Sequence, residues 1–262
     1  MKIKILYEDK NILVIDKPSG LSTHQDGRNK EKTLTDWVLK NYPKIKNVGE
    51  SIFFEKKEIK RPGIVHRLDR ETSGVLILAK NEKMHECLKK QFSAPAIELK
   101  TGGRLADRQN RVHKTYVAIV DGWVKNDRGV INKPIGRSPV DFRRRLAGRG
   151  ARGEMREAIT EYKVLKRFTL PVKGEGPKAE GVNKFTYLEI KPKTGRTHQI
   201  RVHMKFLNHP VVCDSLYNPK GVCPKGLTRL ALHARSIEFM NLQGKVVKVE
   251  SPIPLGIKKV VK

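Results

Sequence analysis

The sequence predicts a protein of many short β-strands mixed with a few amphipathic helices. Three observations point there. Short apolar, β-branched runs recur along the whole length, bounded by Pro, Gly, Asn or Asp. Two segments, 33–42 and 81–92, carry apolar residues at helical spacing. At 262 residues and 38% hydrophobic content the chain can bury a substantial core, as one large domain or two small ones.

The elements follow in order. Ile3 to Leu6 and Ile12 to Ile15 flank a polar turn and read as a hairpin, closed by Lys17-Pro18-Ser19-Gly20. In 33–42, Leu34, Trp37, Val38 and Tyr42 share a face, Thr33 is the N-cap and Pro43 the stop. The polar stretch 44–60 reads as a mobile connection anchored by Ile52, Phe53 and Phe54. The next stretch, Arg61 to Lys80, organises the rest. A Pro62-Gly63 turn and the apolar pair Ile64-Val65 lead into a dense polar block, and Val75 to Ala79 follows as a strand. Charges in such a block are costly to bury unpaired, so the block belongs on a loop at a sheet rim, where catalytic residues tend to sit. Asp69 lies between Arg67 and Arg70. Residue chemistry alone leaves it as a salt-bridged turn carboxylate or as an anionic nucleophile or base held among cations.

Beyond it, Met84, Leu88 and Phe92 mark a second helix. The Gly-, Ala- and Arg-rich stretch 93–112 is long for a connection within a compact domain. A strand is predicted over 113–124. The Arg- and Gly-rich run 141–156 reads as a solvated, flexible segment and equally as a phosphate-contacting arm. Strands at 158–165 and 185–191 enclose a loop at 168–184, and His198 and His203 flank a strand-like stretch.

The formal net charge of +28 favours a polyanionic partner, nucleic acid ahead of a membrane surface. No apolar run reaches membrane-span length and the N-terminus shows no signal-peptide pattern, so a cytoplasmic protein is expected. Three cysteines, an odd count without close pairs, argue against a disulfide framework and a zinc ribbon. Histidines lack acidic or cysteine partners at ligand spacing, and no metal is expected.

His66 to Gly74, HRLDRETSG, closely resembles the catalytic signature of the RluA-type pseudouridine synthases. The resemblance extends along nearly the whole chain. Asp16-Lys17-Pro18-Ser19-Gly20 is similar to the opening of the family's catalytic domain. Lys114-Thr115-Tyr116 resembles its Lys-x-Tyr motif, and Gly195 to His203, GRTHQIRVH, matches its third motif at every position. Pro210 to Gly221 resembles a further segment that keeps Asp214 and Tyr217, with Cys213 and Asn218 where glycine is usual. Leu230 to Phe239 and Val246 to Pro254 resemble its closing strands.

The resemblance implies an α+β fold, a mixed, mainly antiparallel sheet with flanking helices and an RNA-binding cleft. It implies a single catalytic domain over 1–262, with basic insertions near 93–112 and 141–156 and without the family's N-terminal RNA-binding module. The implied activity is isomerisation of uridine to pseudouridine in ribosomal or transfer RNA, by base flipping and a catalytic aspartate. Asp69, Tyr116 and Arg201 are the implied catalytic residues. His66, Arg67, Leu68, Arg70, Thr72, Gly74, Arg196, His198, Gln199 and Val202 are expected at the substrate, with Arg67 the candidate wedge. Lys17, Arg143, Arg144, Arg145 and Arg149 are expected on the RNA backbone. No cofactor, no obligate protein partner and a monomer are expected. A noncatalytic RNA-binding or ribosome-assembly protein on the same scaffold is the alternative. A hydrolytic glycosidase-like enzyme is a third reading, weakened because only Glu71 lies near Asp69 as a second carboxylate.

Overall fold

The chain crosses from one folding unit to another after Lys114, returns after His233, and crosses again after Pro252. The computed structural model describes residues 3–25, 31–54, 57–94, 111–171 and 182–262. Strands and helices are numbered along the chain.

In the first unit, β1 (Lys4–Glu8) and β2 (Ile12–Lys17) form the expected antiparallel hairpin. Asp9 makes its turn, because its carboxylate accepts the N–H groups of Asn11 at 2.7 Å and Ile12 at 2.8 Å. β2 pairs antiparallel with β5 (Ser73–Ala79), and β13 (Leu232–Met240) lies beyond β5 with β14 (Val246–Glu250) antiparallel to it. β5 is buried at every residue, which its unbroken Val-Leu-Ile-Leu-Ala run permits. One face of these strands meets α2 (Glu82–Ser93), whose Met84 and Leu88 pack with Ile12, Val14, Val75 and Ile77. Asn81 caps α2 by accepting the N–H of Met84. At the start of α1 (Leu34–Asn41), the N–H and hydroxyl of Thr33 both donate to Asp36.

The connection 44–60 is more ordered than its composition suggests. It holds a 3₁₀ turn (Pro43–Ile45) and a short hairpin, β3 (Ile52–Phe54) with β4 (Lys57–Ile59). Its buried anchors are Ile45 and Ile59, whereas Phe53 is 75% exposed.

The second unit holds an antiparallel sheet in the order β6 (His113–Asp121), β12 (Val182–Pro192), β11 (Ile159–Pro171), β7 (Arg128–Asn132). The strands expected at 158–165 and 185–191 thus run on into the stretch read as a loop. Two helices, α3 (Gln199–Phe206) and α4 (Leu255–Val261), bury Ile200, Met204, Ile257 and Val260 against Ile119, Val120 and Leu188 of the sheet. The strand-like expectation for 198–203 is therefore corrected to a helix. Its residues alternate apolar and polar because Gln199 to Met204 are all buried, with the polar ones satisfied internally. Each buried Ile or Met contributes about 1.5–3 kcal/mol, enough to outweigh modest helix propensity.

A second correction concerns 141–156, expected as a flexible arm. It contributes β9 (Arg145–Ala147) and β10 (Arg152–Arg156), which flank β8 (Ile135–Arg137) in a three-stranded antiparallel sheet. Ile135, packed with Ala158, Val202 and Tyr217, roots it in the unit. A third concerns cysteine: Cys213 and Cys223 form a disulfide across ten residues. The insertion expected near 93–112 falls mostly outside the described residues. Among the described residues, no helix is long and apolar enough to cross a membrane.

Candidate active site

The loop that carries Asp69 is fastened to the loop after β2. Gly20 N–H donates to Arg70 O at 2.8 Å, Ser19 Oγ to Glu71 O at 2.6 Å and Thr23 Oγ1 to Leu68 O at 2.9 Å. Lys17 completes the clasp. Its side chain is 0% exposed, and its ammonium donates to the carbonyls of Pro18, Leu21 and Arg70. The expected contact between Lys17 and the RNA backbone gives way to this internal role, because a buried ammonium held by three carbonyls is not presented to a phosphate. Leu68 is likewise buried, and pins the loop from below.

His66 secures the other side. Its Nε2 accepts the N–H of Ile77 in β5 at 3.0 Å, which requires the neutral ring with its proton on Nδ1. Burial, and secondarily the charge of Lys114, pushes its pKa down to about 3. The ring stacks on Phe92 of α2 at 4.7 Å between centroids. Gly74 also acts internally. Its φ is +114°, and a Cβ there would sit 2.2 Å from the carbonyl oxygen of Ala234 in β13. Thr72 is buried beside it, its N–H closing a turn onto Asp69 O at 3.1 Å. Between these fixed points Asp69 is half-buried, and Arg67 and Arg70 are exposed. Arg67 Nη1 lies 3.5 Å from His24 Nε2, and Arg70 reaches the Gly20 carbonyl and Glu31.

In the second unit, Tyr116 sits half-buried near the start of β6, opposite Ile190 of β12. Arg201 projects from α3 and is 4% exposed. Its Nε and Nη2 donate in a fork to Asp214, both at 2.7 Å. The Tyr217 ring centroid lies 5.1 Å from its guanidinium carbon. Tyr217 Oη in turn accepts the N–H of Arg145 at 2.9 Å and lies 3.0 Å from His198 Nδ1. His198 stands just before α3 with φ of +57°. Gln199, expected at the substrate, is buried and fully engaged: its amide donates to Ile159 O and Thr160 Oγ1, and its carbonyl accepts from Thr194 Oγ1 and Arg196 N–H. Val202 packs internally with Ile135, Ala158 and Tyr217. Arg196 donates to Glu157 O from an exposed position. Arg143 and Arg144 pair with Asp141, and Arg149 is exposed.

One unit thus holds a carboxylate on a fastened loop, the other a tyrosine and a buried, braced guanidinium. Among the described residues, no three His, Cys, Asp or Glu side chains group as metal ligands. Residues 11–206 match the family model for RNA pseudouridylate synthase. The chain belongs to this family. Among relatives, an uncharacterised RNA pseudouridine synthase of Aquifex aeolicus is 38% identical over 87% of this chain. The ribosomal large subunit pseudouridine synthase D of Xanthomonas campestris is 34% identical over 98% of it. The match spans 60% of the length of the first and 68% of the second. The solved human RNA pseudouridylate synthase domain containing 1 shares the fold, with TM-score 0.64 and 24% identity over 96% of this chain and 83% of that one. Asp214 and Tyr217 contact Arg201 and were not among the residues expected at the site. Their signal was the Asp-x-x-Tyr spacing in 214–217, which places both beside Arg201.

Proposed function

We propose that the chain isomerises uridines to pseudouridine in ribosomal RNA, acting in the cytoplasm as a monomer whose two units make one catalytic domain. Its membership of the family, with Asp69, Tyr116 and Arg201 each in a matching motif, carries this reading; the name of the Xanthomonas relative favours the ribosomal large subunit as the source of the RNA. The reaction breaks the N1–C1′ bond of uridine and forms a C5–C1′ bond. C5 loses a proton and N1 gains one, so atoms and electrons balance without an external reactant or redox partner.

Each residue has a role in that sequence. Flipping the uridine costs a few kcal/mol, and Arg67, exposed and planar, fills the space it leaves. Asp69 attacks the ribose or removes a proton from it. Arg201 supplies the cation of the site. Tyr116 offers a flat face to the uracil while it turns. The Asp69→Ala variant tests the assignment. Binding of a ribosomal RNA transcript is expected to stay within about threefold of wild type, because the lost carboxylate is not a phosphate contact. Pseudouridine formation is expected to vanish. Persistent modification would remove Asp69 from the chemistry, and a wild-type chain that binds RNA without altering it would favour a noncatalytic binder.

A further inference from the structure

We infer that Asp214 is a positioning residue that sets where the Arg201 guanidinium points; this rests on the catalytic reading of Arg201 given above. Asp214 is 0% exposed, and every contact described for it is directional. Oδ2 accepts from Arg201 Nε; Oδ1 accepts from Arg201 Nη2 and from the N–H groups of Leu216 at 3.0 Å and Tyr217 at 2.9 Å. The two backbone donors fix the plane of the carboxylate, and the fork transmits that plane to the guanidinium. Tyr217 lies against the guanidinium with its ring and leaves it little room to swing. A charged pair this deeply buried contributes little net stability, so its geometry is the more telling property.

The segment bearing Asp214 is itself indexed to the sheet. Val211 bridges to Val120 of β6, and Val212 N–H donates to Ile119 O at 2.9 Å. Tyr116 stands on that same strand. Cys213, next to Asp214, adopts φ of +55° and is bonded to Cys223, so 213–223 is a closed ring. Arg201 on α3 and Tyr116 on β6 are thereby referenced to one rigid segment, and Asp214 is the link that reaches Arg201.

A double-mutant cycle on the full chain with a ribosomal RNA transcript tests this. Asp214→Asn keeps the size and the acceptor for the two backbone donors but loses the charged fork. It is expected to lower kcat about 10- to 100-fold, as small misplacements of catalytic groups do, with KM for RNA within about threefold. In an Arg201→Lys background the same change is expected to cost less than about twofold, because Asp214 then has no fork to orient. Asp214→Glu keeps the charge buried opposite Arg201 and serves where Asn prevents folding. It is expected to fold, keep KM and lose about tenfold in kcat. Equal losses in both Arg201 backgrounds, or wild-type kcat in folded Asp214 variants beside an impaired Arg201→Lys, would overturn the inference alone. A fully active Arg201→Lys would overturn the reading of Arg201 and the inference with it.

Discussion

Lys17 and His66 are ionisable residues that the fold uses as internal fasteners, and both hold the Asp69 loop. For His66 this has a pH signature. Its pKa falls from the ordinary 6.5 to about 3 because burial disfavours the cation and, secondarily, because the charge of Lys114 repels it. Between those values the unfolded chain binds a proton that the folded chain does not. The stability His66 contributes is therefore present above about pH 6.5 and is lost as pH falls towards 3. Wild type is expected to lose unfolding free energy more steeply from pH 6.5 to pH 5 than a His66→Gln variant. Equal slopes would mean that His66 titrates normally in the folded chain. At this scale the sequence showed which residue types gather near the site but not which way each faces. Lys17 looks like a phosphate ligand by charge, and only the loop geometry turns its ammonium onto three carbonyls.

Elements bring these residues to the site, and backbone proximity constrains them most. β5 and β13 approach so closely at Gly74 that any side chain would strike the Ala234 carbonyl, and φ of +114° independently favours glycine there. Gly74→Ala is expected to cost at least about 2 kcal/mol of stability in chemical denaturation. A change under about 0.5 kcal/mol would show that the strands part easily there. The stretch 141–156 raises a different question, since its arginines were read both as a flexible segment and as a phosphate-contacting arm. Arg143 and Arg144 share Asp141, which Arg143 holds down to about 2, so their charge is partly neutralised. Arg149 is exposed, and we propose it as the better phosphate contact. Arg149→Ala is expected to weaken RNA binding and to reduce the slope of log affinity against log salt by about 1. An unchanged slope would take this stretch off the RNA. Hairpin and helix positions were legible from periodicity and turn residues, and the closing strands from the family resemblance. α3 was not: full burial removes the one-sided apolar stripe that marks a helix, and its alternating Ile200, Val202 and Met204 imitate a strand.

Across the whole molecule, a formal charge of +28 pointed to a polyanion, and the spacing of motifs along the chain pointed to one family. The Asp69 loop, Tyr116 and Arg201 were legible because each sits in a contiguous motif. The bracing of Arg201 was not, since it depends on a carboxylate thirteen residues onward and on a disulfide whose partners are ten apart. Composition carries no record of such pairings. The proposed function turns on the fate of one base, and the product of the reaction reports it directly. The full chain is incubated with unmodified ribosomal RNA, which is then digested to nucleosides that are separated by chromatography and identified by whether the base is nitrogen- or carbon-linked. A defined uridine is expected to become carbon-linked, at unchanged RNA mass and with no uracil set free. Release of free uracil, or RNA that remains wholly nitrogen-linked while bound to the protein, would contradict the proposed function.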